Sequence, residues 1–403
     1  MKFILIIWLL IGLNCVAQKL SITKVVCDNS NQKPIELVNV HVVNSKKGTV
    51  TNTNGHFSLV INQDDEIAIS ALGFQTRLIK LPDLTKDTIF LNHKVIELDE
   101  YKVFSKGMTA NDIVRMAMGK TNKLSYNKPY SLNTFYRHSC AENEVYGRLI
   151  EASVILHDNK GHKKKYDAPI EKIGVEVNQI RRSFDFTQNF DVHDPISIYS
   201  TLKYDVYSYT SFLHFYPEDF NFQLIDTSFY DNALVWVISY EYARQQEKNL
   251  TENLLDCKGQ LLIRANDFGI LEIKEEQHHS YISEYEEHNF QLSWTVKYQE
   301  HDGKYFLKYV SEKGKNVDVM KSTVHEVVSR KDHAFQVEMM VVDLQFENLK
   351  KVSSKEPSKD ELDAILYDPV FWENFTVIQD TPLDEKIIQD LEKQATLESQ
   401  FEK

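Results

Sequence analysis

The sequence predicts a mainly β protein in which an N-terminal β-sandwich precedes a larger antiparallel meander of half-barrel form with a few packed helices. Short runs of alternating apolar and polar residues, each bounded by turn residues, fill residues 20–92. Strand-like alternation then continues for more than 200 residues after residue 124. Helical periodicity is confined to one short segment near residue 110 and to the last 50 residues.

Composition restricts the class of protein. Of 403 residues, 26% are charged and 42% hydrophobic, which excludes collagen, a disordered chain and a polytopic membrane protein. The 59 acidic residues exceed the 46 Lys and Arg residues and give a formal charge of -13. This surplus repels phosphate, so we expect neither nucleic acid nor an anionic membrane surface as a partner.

Residues 1–17 have the pattern of a cleavable signal peptide. Lys2 precedes an apolar run, and Cys15-Val16-Ala17 supplies the small residues that a signal peptidase requires. The run is too short to cross a bilayer as a helix, so we expect no integral span in the mature chain. The alternative is lipidation at Cys15, which Asn14 disfavours because lipoprotein signals have a small residue there. The chain is predicted to be exported to the periplasm or to associate with the outer membrane.

Residues 18–97 are predicted to form the sandwich. Seven runs read as strands, and their number in under 80 residues predicts antiparallel pairing. Asn54-Gly55 is a signal for a tight hairpin, because both residues tolerate positive φ. We interpret Gly48, Gly55, Gly73 and Phe74 as turn and core residues rather than as a binding site.

The segment contains, in this order, Thr51-Asn52, Asn54-Gly55-His56-Phe57 and Leu72-Gly73-Phe74. This order resembles the carboxypeptidase-like regulatory domain of envelope proteins, and the resemblance covers nearly all of the segment. It implies a transthyretin-like sandwich that is not catalytic. Asn54 departs from the Asp or Glu of the family, which should not disturb the turn. The chain also resembles uncharacterised envelope proteins that carry this domain at their N-terminus. The motifs that carry this second resemblance follow the sandwich in the order Asn111-Asp112-Ile113-Val114, Phe135-Tyr136-Arg137, Tyr146 to Ala152 and Phe371-Trp372.

Residues 98–107 are predicted to be a linker strand, and residues 108–347 a β-rich domain that begins with a helix. Thr109 and Asp112 form a capping-box pattern, and the amphipathic helix should end near Thr121 to Lys123. Hairpins are expected at Asn266 to Gly269 and at Asp302-Gly303. The segments VHEVVS and HAFQVEMMVVDLQFE are predicted to form a further pair.

The C-terminal residues 348–403 are predicted to be a helical tail. A polar connector precedes a short helix in DELDAILYDP, and Phe371, Trp372 and Phe375 should dock on the second domain, since Trp372 would otherwise be exposed. Thr381-Pro382 marks the start of a final amphipathic helix.

Aromatic residues are concentrated between residues 184 and 242, where they make up 17 of 59 positions against 11% overall. Aromatic rings can stack on sugars or line an apolar cavity, but they also pack in large cores and across strands. The run around Pro217 is the least strand-like. The candidate ligand-binding residues are therefore Phe212, Phe215, Tyr216, Phe220 and Trp236.

No motif for catalysis is recognisable, so we expect no enzyme and no cofactor. The chain lacks GxSxG, HExxH, GxGxxG and P-loop patterns, and no His has Glu three residues later, as the zinc carboxypeptidases would require. Adjacent His278 and His279 point to opposite faces of a strand, so the acidic segment around them is interpreted as a charged hairpin rather than a metal site. Cys27, Cys140 and Cys257 are interpreted as buried and unpaired.

Three functions remain open on the sequence alone. The first is an envelope binding module for an apolar or glycan ligand held by the aromatic segment. The second is a structural spacer that docks to another envelope protein. The third is a hydrolase without recognisable motifs, since 59 acidic residues make some carboxylate pair inevitable.

Overall fold

The computed structural model describes residues 19–94, 107–162, 172–187, 198–209, 217–243, 253–283, 285–322, 326–378 and 382–402. The predicted signal peptide and residues 98–106 of the predicted linker strand lie outside these residues. Within them, seven strands of the N-terminal segment lie where the alternating runs predicted them. They are β1 Lys19–Asp28, β2 Asn39–Val42, β3 Gly48–Val50, β4 His56–Asn62, β5 Glu66–Ser70, β6 Arg77–Lys80 and β7 Thr88–Leu91.

The seven strands form a sandwich of two sheets, one in the order β4-β1-β7 and the other in the order β3-β2-β5-β6. Val26, Val40, Phe57 and Ile69 point inward and are fully buried between the sheets. Phe74 joins the same core. The alternation of apolar and polar residues therefore produces the predicted sandwich, because each strand buries one face.

Two details of the predicted sandwich were wrong. The pairing is not wholly antiparallel, because β1 and β7 run parallel. Asn54-Gly55 does not close a hairpin, since β3 pairs with β2 in one sheet and β4 pairs with β1 in the other. The turn instead carries the chain between the sheets, and of its two residues only Gly55 has a positive φ, at 74°.

Replacing Gly55 by alanine is expected to lower the free energy of unfolding by about 2–3 kcal/mol. A Cβ atom would meet the carbonyl oxygen of Val26 at 2.5 Å, in addition to the cost of positive φ. Gly303→Ala is the matched control, because Gly303 has φ 73° and no atom within 4 Å of the same position. Urea unfolding should show the larger loss for Gly55→Ala, and equal losses would contradict the predicted clash.

The first helix, α1 (Ala110–Leu124), has the predicted N-terminus and ends one residue beyond the predicted end. The Thr109 hydroxyl accepts from the backbone N–H of Asp112, and the Asp112 carboxylate accepts from that of Thr109. Its apolar side, including Ile113, Val114 and Ala117, is buried against the large sheet.

A ten-stranded antiparallel sheet forms the second body of the protein. Its order is β10-β9-β8-β17-β16-β15-β14-β13-β12-β11, so it is an open sheet with β10 and β11 at its edges. The strands are β8 Tyr130–Glu142, β9 Val145–Asp158, β10 Ile173–Arg182, β11 Phe220–Tyr230, β12 Ala233–Tyr242, β13 Asn253–Arg264, β14 Ile270–Ile282, β15 Glu286–His301, β16 Lys304–Lys321 and β17 Val327–Gln345. The prediction of a mainly β fold with an antiparallel meander is confirmed.

The hairpins at Asn266–Gly269 and Asp302–Gly303 are confirmed. The prediction that VHEVVS and HAFQVEMMVVDLQFE form a pair of strands was wrong. Residues 327–345 form the single strand β17, which pairs with β16 on one side and β8 on the other. Arg330, Lys331 and Asp332 carry no turn signal and continue the ladder opposite Val319, Asp318 and Val317. Since β8 lies beside β17, the sheet also departs from simple sequence order.

Short helices and the C-terminal segment pack on this sheet. They are α2 Ile198–Leu202, α3 Lys359–Asp363, α4 Pro369–Glu373, α5 Pro382–Leu391 and α6 Leu397–Phe401. Trp372 is buried with Phe135, Tyr309 and Met340 of the sheet. Ile387 and Leu391 of α5 pack on Leu149. Among the described helices, none combines the length and apolar character that crossing a bilayer requires.

Buried polar contacts fasten the sandwich to the large sheet. The ammonium group of Lys297 donates to the carbonyl oxygen of Leu37 at 2.7 Å, and that of Lys308 donates to the side-chain oxygen of Asn39. The Val60 backbone N–H donates to the Thr376 hydroxyl of the C-terminal segment. The sandwich therefore has a defined position over one face of the sheet.

Candidate functional site

A cleft of about 1030 Å³ lies between the sandwich and the large sheet, and two rows of polar side chains form its floor. Each row follows cross-strand partners from β11 to β17, which share a face of the sheet. Row 1 is Gln223, Ser239, Gln260, Lys274, Thr295, Ser311 and Glu338. Row 2 is Asn221, Glu241, Lys258, Glu276, Ser293, Lys313 and Gln336.

Every member of both rows lines the cleft. Seven strands at about 4.8 Å spacing make a floor about 29 Å long. The sandwich contributes residues 36–37 and 50–53 to the walls. The other lining residues are Phe222, Tyr240, Gly259, Glu275, Trp294, Tyr309 and Ile378. A polar outer face is ordinary for an antiparallel sheet, but here another part of the chain covers it and turns it into a cleft.

The residues between rows 1 and 2 direct their side chains to the opposite face of the sheet, because side chains alternate along a strand. It contains Tyr240, Gly259, Glu275 and Trp294. The Tyr240 ring lies over Gly259, where a Cβ atom would meet the ring at 2.3 Å, and the Tyr240 hydroxyl donates to Glu275 at 2.7 Å. Glu275 is 7% exposed, and this burial raises its pKa.

The predicted ligand-binding residues fall into two groups. Phe212, Phe215 and Tyr216 lie outside the described residues. Phe220 and Trp236 are 5% and 2% exposed and pack within the main core, Phe220 beside Tyr240 and Trp236 beside Phe268. Neither of these two lines the cleft. Core packing thus accounts for both, and a role of the aromatic segment in ligand binding stays a prediction.

The acidic segment around His278 forms the predicted hairpin of β14 and β15. Nε2 of His278 donates to the side-chain oxygen of Asn289 at 3.1 Å, whereas Nε2 of His279 donates to that of Gln277 at 3.3 Å. The segment was predicted to be solvated, but its residue Glu275 is buried. Among the described residues, no group of three His, Cys, Asp or Glu side chains is placed to hold a metal ion.

Three side chains, Ser131, His157 and Glu176, form a hydrogen-bonded chain across strands β8 to β10, and no sequence motif predicted it. The Ser131 hydroxyl lies 3.0 Å from Nδ1 of His157, and Nε2 of His157 lies 3.2 Å from Glu176. Burial lowers the pKa of His157. Ser131 is 2% exposed, however, and Val352 covers the neighbouring backbone at Gly174. Among the described residues, the Ser131 side chain is therefore buried, whereas a serine nucleophile must be reached by its substrate.

The three cysteines outside the predicted leader are buried and unpaired, as predicted. Burial raises the pKa of the Cys140 thiol to about 11. A thiol with so high a pKa carries little thiolate at neutral pH, so it is a poor nucleophile.

Comparison with protein families confirms the resemblance of the N-terminal segment. The CarboxypepD_reg-like domain matches residues 22–103. In sequence, the chain is 28% identical over 156 residues to the TonB-dependent receptor SusC of Bacteroides thetaiotaomicron. The match covers 38% of this chain and 14% of the receptor, so the chain spans only a small part of the length of that relative.

Similarity to solved structures is weak. A DUF1329 family protein from Desulfovibrio piger is 7% identical, with 60% of this chain and 96% of that chain covered and a TM-score of 0.26. Lipovitellin is 9% identical, with 58% and 28% covered and a TM-score of 0.20. Neither score indicates a shared overall fold.

Proposed function

We propose that this chain is a non-catalytic binding protein of the bacterial envelope, and that its ligand is a glycan held in the cleft between the sandwich and the large sheet. The observation that carries the proposal is the floor of the cleft, on which all fourteen side chains of rows 1 and 2 are polar. An apolar ligand would remove these groups from water without replacing their hydrogen bonds, at a cost of about 1–3 kcal/mol for each.

A glycan matches this floor because its hydroxyl groups both donate and accept. Ser, Thr, Gln, Lys and Glu side chains offer both kinds of partner along about 29 Å. Envelope location is supported by the predicted signal peptide and by the similarity of part of the chain to a TonB-dependent receptor. The covered position of Ser131 favours binding over hydrolysis.

A glycan array probed with the full mature chain tests this function. We expect the protein to retain at least one class of oligosaccharide and not to bind dodecyl-coated spots. Ser293→Trp places a large ring in the middle of row 2 and should weaken binding at least tenfold, because it fills the cleft. Asn289→Trp is the control, since it lies on the same strand and face but outside the cleft.

Two results would reject a glycan ligand. One is an array without any retained oligosaccharide. The other is equal binding by the wild-type chain and Ser293→Trp, which would place the ligand elsewhere. Binding only to dodecyl spots would favour the apolar ligand instead, and capture of a defined envelope protein by the sandwich alone would favour the spacer.

A further inference from the structure

The large cleft continues into a second one along the same face of the sheet. The second cleft has a volume of about 570 Å³ and shares five lining residues with the first. The shared residues are consecutive members of row 2, namely Lys258, Glu276, Ser293, Lys313 and Gln336. The two clefts therefore form one groove, and a ligand that lies along row 2 contacts both parts of it.

Three of the four lysines of this groove have a carboxylate oxygen within 4 Å. The pairs are Lys258 with Glu276 at 3.6 Å, Lys274 with Glu272 at 3.2 Å, and Lys315 with Asp332 at 3.4 Å. Glu272 also contacts Lys297, at 2.8 Å. Lys313 differs from these three lysines. Within the described ranges it has no carboxylate oxygen within 4 Å, and its side chain is exposed. Its cross-strand neighbours, Ser293 and Gln336, are uncharged.

We propose that the glycan bound in this groove carries a carboxylate, as a uronic acid does, and that Lys313 binds that carboxylate. This inference rests on the proposed function. Exposed lysines are usually only solvated, but Lys313 lies within the row that both clefts share. A carboxylate there gains a charge-assisted hydrogen bond from the ammonium group, while Ser293 and Gln336 can hold the adjacent hydroxyls.

Titration calorimetry with two matched tetrasaccharides tests this assignment. One probe is α-1,4-linked galacturonate and the other is α-1,4-linked galactose, which differ only in the carboxylate at C6. For the wild-type chain we expect about tenfold tighter binding of the acidic probe, with a preference that falls as salt is added. Lys313→Gln should remove the preference, so that the variant binds the two probes with equal affinity.

The control variant is Lys80→Gln, which removes an exposed lysine of the sandwich and should leave both affinities unchanged. Equal affinity of the two tetramers for the wild-type chain, or a preference that survives in Lys313→Gln, would overturn this inference and leave glycan binding standing. An array on which the protein binds only neutral glycans would also overturn the carboxylate assignment and leave glycan binding standing. If the protein binds no glycan at all, both proposals are overturned.

Discussion

Replacing Glu151 by glutamine is expected to lower the free energy of unfolding by about 3–5 kcal/mol. Glu151 is 2% exposed and lies between two arginines, with Arg137 at 2.6 Å and Arg181 at 2.5 Å. Burial alone would raise the pKa of Glu151, but the two guanidinium groups outweigh it and hold the pKa below its usual value. The variant keeps the shape of the side chain and leaves both arginine charges without their anion.

The control for this change is Glu276→Gln. Glu276 pairs with Lys258 at 3.6 Å, but both side chains are more than half exposed. Such a pair contributes about 0–1 kcal/mol, so its loss should scarcely change urea unfolding. If both variants lost equally little stability, the buried arrangement of Arg137, Glu151 and Arg181 would have no net stabilising role.

The second large effect is a gain of stability as pH rises from 7.0 to 8.5. Lys308 is 2% exposed, and burial, together with the charge of Lys297, lowers its pKa from 10.5 to about 7, while Asp231 acts in the opposite direction. The unfolded chain then binds a proton that the folded chain lacks, so stability rises by up to about 1.4 kcal/mol per pH unit above the folded pKa. The expected contribution of Lys308 over this interval is about 1.6 kcal/mol.

Lys308→Met should flatten this dependence, because it removes the group that titrates. His41, a neighbouring titratable group, does not change its charge in the folded protein between pH 7.0 and 8.5, because burial lowers its pKa from 6.5. The side chain of Asn39 loses its Lys308 partner in the variant, so the slope with pH is the decisive quantity rather than the stability at one pH. Lys80→Met, at an exposed position, should keep the wild-type slope. An unchanged slope in Lys308→Met would assign the dependence to other groups.

Local signals in the sequence were sufficient for most of the fold. Alternation predicted the seven short strands, and Thr109 with Asp112 predicted the start of α1, because these depend on neighbours within a few residues. The parallel pairing of β1 with β7 and the placement of β8 beside β17 depend on contacts between distant segments. No local pattern specifies them.

The site was harder to predict for a related reason. Each of the strands from β13 to β17 contributes two polar residues spaced by two, such as Ser293 and Thr295, which is the ordinary pattern of a solvated face. Only the register of the sheet brings them into two rows, and only the docked sandwich encloses them. The aromatic segment was the more conspicuous signal, yet Phe220 and Trp236 serve the core.

The pairing of β8 with β17 joins positions about 200 residues apart, as in Arg137 opposite Glu338. A growing polypeptide cannot complete the middle of this sheet until nearly all of it has been synthesised. Loop closure over such a distance makes assembly slow. Until then, the early hairpin of β8 and β9 presents an unsatisfied edge to other molecules, so a nascent chain of this protein should depend on chaperones that shield it.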